Sequence, residues 1–410
     1  MKILEVNCND LPGHVFNGYD LHNELNRLGY DAKQMVRKKY SNCNTVKSFL
    51  EDDIFLSQLI EWEKEHSVSN VLVPYGYELE QSEEFRNAEI VHYHILHNYT
   101  ISLLDYPNLM NQKCSIWTIH DPWILTGNCI HPLECKKWDM GCGGCVTCNN
   151  ETFIMEQDNT AFMWKLKKQI LSKLNPDIIV ASEFMKKYIE KSPLTNHFNK
   201  IHIIPFGVRL EKYDINLKAE KKIKLGLSLE DRVIGFRADD FYIKGTYYLF
   251  EALKKLKVDS NITLISFGNG SVPKEIQKKY KIIELGWVND EDKIIEFLEG
   301  IDIFLMPSLA EGFGVMAIEA MAAGCAVICF QTTTVEEITD APRCGIAVEY
   351  KSSEALAEAI QELLNNYPEI KRRGKLGNEL VRKKYQFKDY VDKHIALYEK
   401  IYSSYYCERE

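Results

Sequence analysis

Two apolar patterns alternate along the chain. Near-continuous apolar runs at residues 2–6, 32–36, 89–94, 115–120, 178–182 and 201–205 read as strands. A helical pattern beginning near Tyr19 carries Leu21, Leu25 and Leu28 and stops at Gly29. Strands apolar on both faces and separated by helices predict a parallel sheet covered on both sides. Residues 37–88 are acidic and aromatic without clear punctuation, so helices are placed there only loosely. A second series follows residue 220, with strands at 232–236, 262–267, 281–285, 301–306 and 326–330, and helices at 247–256, 293–298 and 315–323.

The chain therefore reads as α/β, with two doubly wound units. Residues 1–205 form the first, 206–386 the second, and 206–217 the hinge. The tail, 387–410, carries Tyr390, Ile395, Leu397, Tyr398 and Ile401 at helical spacing, which predicts an amphipathic helix packing back toward the first unit. Ligands of such units bind beyond the carboxyl ends of the strands, which predicts a site in the crevice between the two.

Composition narrows the class. A length of 410 residues favours two cores over one, and 45% hydrophobic with 27% charged residues is ordinary for a soluble globular protein. The net charge of -9 argues against nucleic acid as the main partner. The first residues meet Glu5 too early for a signal-peptide core, and no apolar run approaches the ~20 residues that span a bilayer. The expected location is cytoplasmic, with peripheral contact at the inner face of the membrane at most. Residues 163–171 place lysines opposite apolar positions, which predicts a surface helix packed on the first unit, with an anionic lipid surface as the rival reading.

The cysteines are clustered. Cys129, Cys135, Cys142, Cys145 and Cys148 fall in a loop at 126–150, while Cys8, Cys114, Cys325 and Cys329 sit in apolar surroundings and read as core. Cys142 and Cys145 have zinc-knuckle spacing, and Cys129 and Cys135 complete a tetrahedral set, with Cys148 as an alternative. Structural zinc is expected, and disulfides are the rival. Four thiolates leave no open position for catalysis.

The chemistry concentrates around Glu311-Gly312-Phe313-Gly314 and Glu319. An apolar strand passes a glycine loop into an Ala/Met-rich helix ending at Gly324, with one carboxylate before the loop and one inside the helix. Free backbone N–H groups and the helix dipole at such a start suit a phosphate. A lone carboxylate among Val315, Met316, Ala317, Ile318 and Ala320 needs a partner, and the vicinal hydroxyls of a ribose would serve. Arg237 ends a strand and Lys244-Gly245 opens the next helix. The pair suits a diphosphate, or, with Asp239 and Asp240 between, a solvated charged loop. His120, followed by Asp121, closes another strand and reads either as a satisfied core histidine or as a site residue.

The run from Phe304 through Glu311 and Glu319 to Gly324 resembles the E-x7-E signature of retaining family-4 glycosyltransferases. The resemblance implies the GT-B fold of two facing Rossmann-like domains that close over a nucleotide-sugar donor. It places the donor pyrophosphate on Arg237, Lys244 and the amides of Gly312, Phe313, Gly314 and Val315. Ribose falls to Glu319, and the sugar lies between Glu311 and His120, with Asp121 orienting its neighbours. His94 would face the acceptor, a glycan or lipid-linked sugar. Gly13 would represent the glycine-rich first loop, although Asn9-Asp10-Leu11-Pro12-Gly13-His14 lacks the usual glycine pair. Trp287 and Val288 would meet the nucleobase, and Arg209 stands where the family hinge has an Asp. The loop from Trp123, Thr126, Gly127 and Cys129 is similar to a subgroup common in bacterial surface-polysaccharide synthesis. No cofactor is implied for catalysis. A UDP- or GDP-sugar is the expected donor. Rival readings are another GT-B enzyme, such as an epimerase or phosphorylase, and a catalytically silent scaffold subunit.

Overall fold

The structure, a computed structural model, describes residues 1–49, 53–149, 152–257, 261–288 and 290–407. Residue 150 of the predicted cysteine loop and residues 408–410 of the predicted tail lie outside the described residues. The chain divides into two compact units, Met1–Ile204 with Tyr390–Glu410, and Pro205–Asp389.

The first unit holds a seven-stranded sheet. Its strands are β1 (Lys2–Asn9), β2 (Asp31–Lys38), β3 (Val46–Ser48), β4 (Ile90–Tyr93), β5 (Cys114–Thr118), β6 (Asp177–Val180) and β7 (Ile201–Ile203). The order is β3-β2-β1-β4-β5-β6-β7, and all pairings are parallel. β1, β4 and β5 are buried almost throughout, which is why they read as apolar runs. The second unit holds β8 (Arg232–Arg237), β9 (Ile262–Phe267), β10 (Lys281–Glu284), β11 (Ile303–Met306), β12 (Ala326–Phe330) and β13 (Ile346–Val348), in the order β10-β9-β8-β11-β12-β13, again parallel.

In both sheets the strand order reverses beside the first strand, between β1 and β4 and between β8 and β11. At such a switch point the flanking loops part and leave a crevice at the strand carboxyl ends. β3 and β13 escape the hydrophobic pattern because Val46 is the one apolar residue of β3, and Gly345 and Glu349 cut β13 to three residues, whereas Ile204 prolongs the equally short β7. The unpunctuated region before β4 contains the helices Asp53–Glu65, Tyr75–Gln81 and Glu83–Asn87.

The tail forms the helix Phe387–Cys407, whose Tyr398 is fully buried and donates its hydroxyl to Glu5 Oε1 at 3.0 Å. One expectation is corrected in the helix Thr160–Leu171. Lys165 and Lys168 are exposed, but Lys167 is buried on the face of Met163, Trp164, Ile170 and Leu171. Its ammonium donates to the carbonyls of Trp123 (2.6 Å) and Thr126 (3.0 Å) and lies 3.5 Å from the Trp123 ring centre. Burial draws its pKa down to about 7, against the opposing influence of Cys129, Cys142 and Asp121. Its position three and four residues from apolar neighbours, not its residue type, decides its side of the helix.

Candidate active site

In the second unit the expected donor residues gather at the carboxyl ends of β8 and β11. Lys244 Nζ lies 2.8 Å from Glu311 Oε1, and the Ser308 hydroxyl donates to the same oxygen at 2.9 Å. Gly245 makes this approach feasible: its φ is +68°, and a Cβ there would fall 1.8 Å from the Pro307 carbonyl oxygen. Arg237 pairs with Asp239 at 2.8 Å and lies over the exposed Trp287 ring at 5.3 Å. Its buried Nε finds no hydrogen-bond partner among the described residues. Asp239, whose presence left a solvated loop as the rival reading, holds one arm of the guanidinium.

Gly312-Phe313-Gly314 leads into the helix Val315–Ala322. Phe313 is buried against Phe206 and Tyr385 in edge-on contacts, so only its backbone faces the loop's outer side. The helix closes on a Schellman arrangement, with Gly324 N–H on the Met321 carbonyl (3.0 Å) and Cys325 N–H on that of Ala320 (2.9 Å). The helix Tyr367–Lys384 clamps it. A Cβ on Gly374 would fall 2.1 Å from the Gly324 carbonyl oxygen, and the Asn378 amide donates to Ala322 O at 2.6 Å. Glu319 is partly exposed on this helix and acts electrostatically on Tyr213. Trp287 and Val288 follow β10, after Gly286, whose carbonyl accepts from Gly268 N–H at 2.8 Å. Arg209, which departs from the family hinge, stacks on Phe387 at 3.9 Å.

In the first unit the loop after β1 is stitched by Asn17. Its side-chain amide donates to the carbonyls of Asn9 (2.9 Å), Asp10 (2.5 Å) and Pro12 (3.0 Å), and the Asp10 carboxylate accepts from the backbone of Leu11, Tyr40 and Ser41. Gly13 sits inside this loop under Phe16, whose ring is 5.9 Å from that of His120. His120 is partly buried, and its Nε2 is 3.2 Å from His94 Nδ1. Burial, then the neighbouring His94, holds His120 well below the ordinary histidine pKa. Asp121 takes His97 at 3.0 Å and the Trp123 N–H at 2.9 Å; burial alone would raise it, but His97 outweighs that and brings it to about 2.

His94, expected at the acceptor, is only 2% exposed and has both ring nitrogens engaged. Its second partner is Glu5, at 2.5 Å from His94 Nε2, and Glu5 lies 3.2 Å from His92 Nδ1. Glu5, His92 and His94 are the one group of three or more metal-capable side chains gathered within 4.8 Å among the described residues. The contact between Glu5 and His94 is shorter than the roughly 3.3 Å separating two ligands of a tetrahedral ion with bonds of about 2.0 Å. It is a hydrogen bond. Glu5 was missed by sequence reasoning, although a lone carboxylate inside an apolar strand is the same signal that singled out Glu319.

The cysteine loop is pinned to the helix behind it. Cys145 N–H bonds Asp158 (2.7 Å), Gly143 N–H bonds Thr160 (3.0 Å), and Gly127 N–H donates to Cys142 Sγ at 3.2 Å. Cys135, Cys142, Cys145 and Cys148 hold free thiols. Burial raises the Cys142 thiol pKa, and Cys135 and Cys145 are near enough to add to it. Among the described residues no three of the loop thiols lie within 4.8 Å of one another. Cys8, Cys114, Cys325 and Cys329 are all buried.

Residues 218–380 match the family model of glycosyl transferases group 1. Among curated relatives, an uncharacterized glycosyltransferase of Methanocaldococcus jannaschii is 29% identical over 41% of this chain and 46% of its own. The O-antigen chain mannosyltransferase C of Escherichia coli is 25% identical over 55% of this chain and 58% of its own. The chain thus spans about half the length of the curated relatives it matches. Among solved structures, sucrose-phosphate synthase from Thermosynechococcus elongatus superposes with a TM-score of 0.71 at 16% identity, covering 98% of this chain and 100% of that one. HepE from Anabaena, in complex with UDP-glucose, gives 0.66 at 13% identity, with 98% and 100% covered. The structural likenesses show the GT-B fold, with its two Rossmann-like parallel-sheet domains. The match over residues 218–380 supports a group 1 glycosyltransferase.

Proposed function

We propose that this chain is a retaining glycosyltransferase that moves a sugar from a nucleotide-sugar donor, a UDP- or GDP-sugar, to a hydroxyl of a glycan or lipid-linked acceptor in surface-polysaccharide synthesis. One observation carries the reading. At the β8/β11 switch point, Lys244, held by Glu311, whose carboxylate also accepts from Ser308, stands beside a glycine loop opening a helix, with the Arg237 Nε, without a hydrogen-bond partner among the described residues, on the adjoining strand. Basic side chains and the backbone amides of a helix start at that place suit a pyrophosphate. The HepE structure holds UDP-glucose, and the Escherichia coli relative is named for O-antigen mannose transfer; both fit this assignment.

In the proposed reaction the anomeric C–O bond to phosphate breaks as the acceptor oxygen bonds the anomeric carbon on the same face. The acceptor proton passes to the departing phosphate oxygen. Arg237, Lys244 and the amides of Gly312, Phe313, Gly314 and Val315 offset the charge that develops on the leaving group. Glu319 takes the ribose hydroxyls, Trp287 and Val288 the base, and Glu311 the sugar. In the first unit, His120 and the loop of Gly13 serve the sugar and the acceptor.

A panel of UDP-, GDP- and ADP-sugars followed by nucleoside-diphosphate release tests the reading. Release from one donor, abolished by Glu311→Ala, is expected. No binding of any donor, with no glycan change in cells carrying Glu311→Ala, would overturn it in favour of a silent scaffold, which the comparisons do not favour. Structural zinc on Cys129, Cys135, Cys142 and Cys145 is part of the proposal. Zinc would neutralise thiolates in a pinned loop whose Gly127 N–H already points at a sulfur, and Cys148 is the alternative ligand. One zinc per chain in reduced, unchelated protein is expected, and metal-free protein with an intact fold would end that part. No helix among the described residues is long and apolar enough to cross a membrane; peripheral contact with the inner face of a bacterial membrane is proposed.

A further inference from the structure

The first unit contains a buried chain of groups that the reaction above does not use. Glu5 and His92 lie opposite each other in the β1–β4 register, and His94 follows on the same side of the strand, two residues on. All three are at most 2% exposed. Glu5 Oε1 accepts from Tyr398, and Glu5 Oε2 contacts His94 Nε2 at 2.5 Å and His92 Nδ1 at 3.2 Å. His92 Nδ1 also meets Tyr398 at 2.6 Å, and its Nε2 meets Thr118 at 2.7 Å. Beyond these face His22, Tyr390 and His394, each electrostatically coupled to Glu5, while Asp121 and His97 act on His120. Gly18 seals the contact. With φ at +86°, a Cβ there would fall 2.6 Å from His94 Nε2 and 3.0 Å from Glu5 Oε2, so only glycine lets the chain cross here.

The chemistry of the donors and acceptors sets the protons. An ionised carboxylate only accepts, so His94 must carry its ring proton on Nε2, facing Glu5. Its Nδ1 is then an acceptor, and the group 3.2 Å away, His120 Nε2, must donate. His120 is held in the Nε2–H form, and its Nδ1 becomes an acceptor nitrogen. We propose that Glu5 and His94 are positioning residues that fix the tautomer of His120, so that His120 meets a sugar hydroxyl as a hydrogen-bond acceptor and not as a donor. Ionisation of Glu5 is supported: burial by itself would raise its carboxyl, but His92 and His94 outweigh this and hold it well below the carboxylate range. Burial first, then His92, brings His94 to about 4, so at neutral pH it carries one ring proton.

The inference rests on the proposed role of His120, and the test separates the two. In long-range 1H–15N spectra of histidine-labelled protein at pH 7, wild-type His120 should show the Nε2–H tautomer. Glu5→Gln, which can donate as well as accept, and His94→Phe, which removes the acceptor, should each shift His120 toward the Nδ1–H form. Both should lower kcat about 10- to 100-fold with donor KM nearly unchanged, and Glu5→Asp should recover part of it. A wild-type His120 in the Nδ1–H form overturns the proposal even if the variants fail to fold. So does a tautomer or kcat indifferent to both variants while His120→Asn abolishes turnover. If His120→Asn leaves turnover intact, it is the role of His120 that fails, and the tautomer result stands by itself.

Discussion

Each unit places a carboxylate at its switch point, and the two are handled in opposite ways. Glu311 is partly exposed and meets a lysine and a serine. Glu5 is fully buried and meets two histidines and a tyrosine. The first arrangement keeps a basic side chain at a solvent-reachable place, which suits an anionic ligand. The second spends its carboxylate on orientation, since a buried anion must have every lone pair satisfied and therefore dictates which atoms of its neighbours bear protons. One topology thus carries two carboxylates, one proposed to face a ligand and one proposed to align its neighbours, and the difference lies in burial.

The contrast can be tested most sharply at its charged end. Lys244→Ala removes the cation and leaves Glu311 facing the proposed phosphates; turnover should fall by about 10²–10³, read as kcat/KM for nucleoside-diphosphate release. A loss under tenfold would mean that Lys244 serves the loop and not the donor.

The buried end should announce itself in stability. His94 and His394 have pKa values lowered to about 4 and about 3, by burial first and then by charge repulsion, from ordinary histidine values near 6.5. Between about pH 6.5 and 4 the unfolded chain binds more protons than the folded one, so stability is full above that window and falls with pH through it. Glu5 adds loss in the acid part, because its folded pKa is depressed and the unfolded carboxyl protonates first. Each buried histidine contributes a slope of up to about 1.4 kcal/mol per pH unit. Urea unfolding at several pH values should show this slope, and His394→Met should remove its share. A flat profile would contradict buried neutral histidines.

The smallest effect should come from the rim. Trp287 is 52% exposed and its ring lies 5.3 Å from the Arg237 guanidinium. Trp287→Ala should raise donor KM only a few-fold, in keeping with about 0.5–1 kcal/mol for an exposed cation–π contact. A fall in kcat of comparable size would instead make the ring part of how Arg237 meets the transition state.

Patterns of adjacent residues carried most of the architecture. The long strands, the glycine stops and the Glu311–Glu319 segment were legible because burial on both faces forces continuous apolar runs, and tight turns force glycine. β3 and β13 were not, since β3 has one apolar residue and β13 is cut short by Gly345 and Glu349, where Ile204 prolongs β7. Sequence by itself determined the parallel α/β class and the residue types at the ends of the strands. Tertiary structure alone decided which partners those residues meet: Glu5 with His94 across 89 positions, Lys244 with Glu311 across 67, and Lys167 turned inward beneath Trp123. The reason is physical. Local sequence sets backbone conformation and face, but the protonation and charge state of a side chain depend on what the fold brings within a few ångströms of it.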